Sequence, residues 1–194
     1  MRPIQPTLAF APELLLAARG PADGIRAVIF DVDGVLTDGT IVVGAEGEVL
    51  KAFSTLDGHG VKLLARAGVE PIVISGRDSP PLRHRLAELG IAHAECGVAD
   101  KLAAAERVLA VLGVGWEAVA AMGDDWPDLP VLARAAFACA PPGAHAEVRA
   151  IADHVTSARA GHGAVRECCD LLLMAAGRYA ECLESGLGTL DAAP

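Results

Sequence analysis

Along the chain, apolar runs of strand length alternate with segments whose apolar positions recur at helical spacing. The order is RAVIF, VKLLARAG, EPIVIS, PLRHRLAELG, IAHAE, KLAAAERVLAVLG, WEAVAAMG, DLPVLARA, AFACA, HAEVRAIA, DHVTS and AVRECCDLLLMAA. The strand candidates are apolar throughout rather than alternating, the pattern of a parallel sheet covered on both faces. The predicted fold is therefore α/β: a doubly wound, Rossmann-like parallel sheet with helices on both faces and ligands at the C-terminal ends of the strands.

One segment breaks the alternation. Residues 40–53, TIVVGAEGEVLKAF, place two β-prone arms around a Gly-containing turn, which reads as a hairpin directly after the first strand. It is either a flap over the site (residues 38–55) or an ordinary edge hairpin, and it leaves no room for a large cap domain. Residues 1–24 read as an N-terminal extension with a short amphipathic helix at 12–19, residues 25–180 as the core, and residues 181–194 as a frayed tail.

Composition narrows the class. A chain of 194 residues that is 53% hydrophobic can bury one sizeable core, and 4% aromatic content means that core is built from Ala, Val, Leu and Ile. A net charge of -9 argues against general nucleic-acid binding, which needs clustered cations. No apolar run reaches the length of a membrane span. The five cysteines show no C-x-x-C spacing and read as small core residues in a reducing, cytoplasmic compartment.

Four polar features fall at strand ends or at the starts of the following helices: DVDG from Asp31, SGR from Ser75, Lys101, and GDDWPD from Gly123. Alone, a D-x-D is a solvated loop and S-G-R a turn, but the fold brings all four to one edge. Asp31 and Asp124, with Asp125 as a further candidate, gather charge that an oxygen-preferring cation such as Mg²⁺ would neutralise. Lys101 and Ser75 add donors for phosphoryl oxygens. Asp31 and Asp33 would point to opposite sides of a continued strand, so joint action requires a turn, which Gly34 permits. Asp31 could then attack phosphorus while Asp33 protonates the leaving oxygen and later activates water; in the duller alternative both bind metal and water attacks directly. Asp38 with Gly39 reads as the turn into the flap. Lys62, Arg77 and Arg85 are candidate cations for a carboxylate or phosphate, or solvated helix residues.

On these residues the chain resembles the haloacid dehalogenase superfamily phosphatases, and DVDGVLTDGTI, KAFSTLDGHGVKLL, ISGR, GDDWPDLPVL and GHGAVRECCDLLL resemble its small capless 3-deoxy-D-manno-octulosonate (KDO) 8-phosphate phosphatases. The resemblance implies Asp31 as nucleophile and Asp33 as general acid/base. It implies Mg²⁺ held by the Asp31 and Asp124 carboxylates and the Asp33 carbonyl, and a substrate site that includes Asp57, Gly58 and Lys62. It further implies a homotetramer in which neighbours complete each active site, residues 158–180 reaching toward one of them, and a place in lipopolysaccharide biosynthesis. Val35 replaces a common Thr, Ala160 replaces the first glycine of a paired-glycine segment, and His162 follows it. Leu56 replaces a basic residue before DG, a departure expected to weaken contact to the sugar carboxylate; His59 and His162 are substitute donors.

Three rival readings stand beside this one. A phosphatase for a nine-carbon sugar acid 9-phosphate would share every phosphate-site residue. A non-catalytic tetramerising module would not need the complete set Asp31, Asp33, Ser75, Lys101 and Asp124. A phosphoacceptor signalling domain would lack Asp33, whose hydrolytic role shortens the life of an acyl phosphate.

Overall fold

The computed structural model describes residues 6–20 and 24–188. In chain order, α1 (Pro12–Ala18) precedes β1 (Ala27–Phe30), a tight turn over Val32–Leu36, and the hairpin of β2 (Val42–Gly44) and β3 (Gly47–Leu50). There follow α2 (Thr55–Arg66), β4 (Glu70–Ser75), α3 (Pro80–Leu89), β5 (His93–Cys96), α4 (Lys101–Leu112) and β6 (Val119–Met122). The chain ends through α5 (Leu129–Leu132), β7 (Phe137–Ala140), α6 (Ala146–Ile151), β8 (His154–Val155), α7 (Ala164–Ala175) and α8 (Tyr179–Gly188).

Six strands pair in parallel in the order β5-β4-β1-β6-β7-β8, with the antiparallel β2-β3 pair separate. The doubly wound sheet with its hairpin is the architecture read from the sequence, and no cap domain is present among the described residues. Strand side chains alternate between two cores. Val28, Phe30 and Val73 pack with α2 and α7, while Ala27, Ile29, Ile72 and Ile74 pack with α4, α5 and α6. Helix α1 lays Leu14 and Leu15 on the first of these cores.

Two segments differ from the sequence reading. Helix α2 starts six residues before the apolar run that announces it, because the Ser54 hydroxyl caps it by accepting from the Asp57 amide at 3.3 Å. The glycines this draws into the helix serve close packing: a Cβ on Gly60 would press on α7 at Arg166 and Cys169, at 3.0–3.2 Å. The chain beyond residue 180, expected to fray, continues as α8 because Tyr179 and Cys182 find apolar partners on the first core. The rest of that tail, residues 189–194, lies outside the described residues.

Helices α2 and α7 are locked by one carboxylate. Asp57, 1% exposed, accepts from the Gly163 amide at 3.1 Å and the Arg166 amide at 2.8 Å. It thereby caps α7, because Gly163, at the N-cap position just before the helix, has no side chain to do so. Asp57→Ala therefore lowers unfolding free energy in urea by roughly 2–4 kcal/mol, the cost of a lost cap plus buried donors left unpaired. An unchanged denaturation midpoint would contradict the capping role.

Candidate active site

The C-terminal end of β1 carries Asp31 in extended conformation, and the chain turns immediately after it. Gly34 makes that turn at φ +89°, and a Cβ there would overlap the Asp124 carboxylate. Thr37 closes the turn by donating to the Val32 carbonyl at 3.3 Å and accepting from the Gly34 amide at 3.4 Å. Asp33, inside the turn, is thus brought to the same crevice as Asp31.

Lys101, at the start of α4, reaches back under this edge. Its ammonium donates to Asp31 Oδ1 and to Asp128 Oδ1, both at 2.6 Å, and all three residues are at most 8% exposed. Asp128 Oδ2 accepts from the backbone amides of Asp124 and Asp125, at 3.0 and 3.3 Å. Asp128 was absent from the sequence-based site; within GDDWPD the residue type alone could not say which aspartate turns inward. It holds the Asp124 loop to Lys101.

Carboxylate oxygens of Asp31, Asp124 and Asp128 lie within 4.8 Å of one another. One lysine faces three acids, so the cluster is short of positive charge. Burial, with the charge of Asp128 adding to it, pushes Asp31 up to about 6 even though Lys101 pulls the other way. Asp124 is pushed up to about 8 by burial and by the charges of Asp31 and Asp128. Burial alone would lower Lys101, but the two carboxylates outweigh it and raise its pKa.

An all-oxygen donor set with an unbalanced negative charge fits a hard divalent cation. Both Asp128 oxygens are already committed, so Asp31 and Asp124 are the carboxylates free to hold Mg²⁺. Asp125 forms a capping box with Asp128 instead, each side chain accepting from the other residue's backbone amide.

The crevice in front of this cluster measures about 410 Å³ and is lined by Asp31, Asp33, Ser75, Arg77, Lys101 and Asp124, among others. Ser75 Oγ accepts from the Arg77 amide at 3.1 Å, which leaves its own proton for an oxygen in the crevice. Arg77 is largely exposed, with Nε 3.9 Å from Asp33 Oδ2. Asp33 Oδ1 is held by Lys51, a residue the sequence reading did not single out, because a lysine beside exposed hairpin residues looks like solvated charge.

Four sequence-derived candidates lie outside this crevice. Asp57 caps α7 and does not line this crevice. Gly58 is buried in α2, where a Cβ would collide with the Arg85 guanidinium. Arg85 itself donates to the Ser54 carbonyl at 3.2 Å, pairs with Glu88 at 2.8 Å and lies over the Phe53 ring. Lys62 lines a separate depression between α2 and α3, with His59 and Arg66.

Comparison with known proteins agrees with this geometry. Residues 91–167 match the model of the haloacid dehalogenase-like hydrolases. The chain is 43% identical over 160 residues to the 3-deoxy-D-manno-octulosonate 8-phosphate phosphatase KdsC of Salmonella typhi, covering 82% of this chain and 85% of that protein. The KdsC of Escherichia coli strain K12 matches at the same identity and coverage. Among solved structures, the Yersinia pestis 3-deoxy-D-manno-octulosonate 8-phosphate phosphatase superposes with a TM-score of 0.83 at 40% identity, covering 88% of this chain and 90% of that one. The Moraxella catarrhalis phosphatase, in complex with magnesium ion, phosphate ion and KDO, gives 0.83 at 36% identity, covering 89% and 97%.

The carboxylate cluster makes stability depend on pH in a definite direction. Asp31 and Asp124 have folded-state pKa values above the unfolded range near 4, so without metal the folded protein binds more protons between about pH 4 and 8. Stability in EDTA is therefore highest at the acid end of that window and falls as pH rises through about 6 and then 8. Mg²⁺ opposes the fall, because it takes the place of those protons. Thermal melts across this range check it; parallel curves with and without Mg²⁺ would contradict the assignment of the cluster as the metal site.

Proposed function

The chain belongs to the 3-deoxy-D-manno-octulosonate 8-phosphate phosphatase family of haloacid dehalogenase-like hydrolases, a Mg²⁺-dependent phosphatase of KDO 8-phosphate, and from that premise we propose how its residues divide the reaction. The observation that carries the proposal is the placement of Asp31 and Asp33 on one crevice, with one oxygen of each held by a lysine and the other left for chemistry.

Lys101 fixes Asp31 by Oδ1, so Oδ2 is the nucleophile that forms a bond to phosphorus as the bond to the sugar oxygen breaks. Asp33 gives its proton to that departing oxygen, and its carboxylate then takes one from the water that cleaves the aspartyl-phosphate. Ser75 and Lys101 donate to phosphoryl oxygens. Asp31, Asp124 and the Asp33 carbonyl would hold Mg²⁺, which when bound neutralises charge on the transferring group. Arg77, at the crevice mouth, faces the sugar acid.

We further propose that the protein assembles as a homotetramer. The hairpin leaves Val43 (69% exposed), Val49 (56%) and Leu50 (57%) open, apolar surface that a neighbouring subunit would cover. Lys62, Arg85 and residues 158–180 would serve the substrate through such neighbours. No helix among the described residues is long and apolar enough to cross a membrane, and five free cysteines suit a reducing cytoplasm.

Asp31→Asn lowers turnover of KDO 8-phosphate by on the order of 10⁴-fold or more with the melting curve retained, as expected for loss of a nucleophile. EDTA silences the parent enzyme and Mg²⁺ restores it; phosphate release across a panel of sugar acid phosphates is the assay. Equal turnover of a nine-carbon sugar acid 9-phosphate would favour the rival substrate. In sedimentation the parent runs as a tetramer, and the pair Val43→Glu, Val49→Glu runs smaller. A monomeric parent would overturn the assembly.

A further inference from the structure

The hairpin has an inverted pattern. Its Val42, Val43, Val49 and Leu50 are exposed, while Glu48 and Lys51, the residue that follows β3, are turned inward. The Lys51 side chain is 1% exposed, which is rare for lysine without a compelling partner. Its ammonium pairs with Asp33 Oδ1 and lies 3.2 Å from Glu48 Oε1. Glu48 Oε1 in turn accepts from the hydroxyl of Ser79, the buried residue that precedes α3, at 2.7 Å. A chain of buried polar contacts thus runs from the start of α3 through the hairpin to the crevice.

We infer that Lys51 is a positioning residue for Asp33: it holds Oδ1 and so leaves Oδ2 as the oxygen that exchanges a proton with the leaving group and with water. The inference rests on the reading of Asp33 as the general acid/base. The two Asp33 oxygens have unequal surroundings. Oδ1 has the buried lysine and, at 3.5 Å, the Thr37 hydroxyl. Among the described residues, Oδ2 has only the exposed Arg77, at 3.9 Å. A carboxylate free to rotate would present either oxygen; one pinned by a buried ammonium presents a single one in a fixed direction, as proton transfer requires. The hairpin then acts in the chemistry as well as over it, because the residue that follows β3 sets the orientation of an acid on the turn after β1.

Leaving-group dependence separates this role from simple packing. The sugar alkoxide of KDO 8-phosphate needs a proton to depart, whereas p-nitrophenolate does not. Read as kcat/KM, which reports only the steps up to departure of the leaving group and not hydrolysis of the aspartyl-phosphate common to both substrates, Lys51→Met lowers the value on KDO 8-phosphate by about tenfold to a hundredfold, part of what a general acid contributes, and on p-nitrophenyl phosphate by less than about threefold. Lys51→Gln, with a polar tip but no charge, shows the same selective loss to a smaller degree and carries the test if Lys51→Met does not fold. Asp33→Asn is the control. Equal loss of kcat/KM on both substrates in Asp33→Asn would overturn the general-acid reading itself. Selective loss in Asp33→Asn, with uniform loss or none in the Lys51 variants, would overturn the role of Lys51 alone.

Discussion

Everything at this site depends on a surplus of buried negative charge. Asp31, Asp124 and Asp128 converge on one lysine, and Asp33 stands on the adjacent turn with a second. Burying such charges without compensation costs several kcal/mol each, comparable with the net stability of a domain. The arrangement persists because three of the acids are given specific partners: Lys101 for Asp31 and Asp128, two loop amides for the second oxygen of Asp128, and Lys51 for Asp33. The remaining deficit falls on Asp31 and Asp124, where Mg²⁺ belongs. The same surplus explains the metal requirement, and the hold of Lys101 on one Asp31 oxygen suits the nucleophilic role proposed for the other.

The parallel sheet makes this convergence possible. β1 lies between β4 and β6, so the turns after these three neighbouring strands present Asp31, Ser75 and Asp124 side by side, and the start of α4 adds Lys101. Buried strands hold those positions rigidly, while the hairpin and the loop before α7 lie against the turn that carries Asp33; the Gly161 amide donates to the Val35 carbonyl at 3.2 Å.

The parts of the site that follow from strand ends were legible in the sequence. Asp31, Ser75, Lys101 and Asp124 each sit where an apolar run stops or a helix begins, and the fold class follows from the same pattern. Residues whose role comes from tertiary contact were not. Lys51 reads as surface charge until the hairpin folds inward, and Asp128 is one of three aspartates in a loop until its two oxygens are seen to be committed. Asp57 likewise owes its tie to α7 to two long-range hydrogen bonds that its sequence context does not announce. The early start of α2 was hidden because two glycines, poor helix formers, occupy its first turns for the sake of packing.

The central claim is that Asp31 itself takes the phosphoryl group, so that transfer occurs in two in-line displacements. The stereochemical course at phosphorus tests this most directly, using a KDO 8-phosphate whose phosphorus is made chiral by oxygen isotopes and sulfur. Two displacements predict retention of configuration in the released thiophosphate. Inversion would mean that water attacks the substrate directly and that Asp31 only helps to hold the metal.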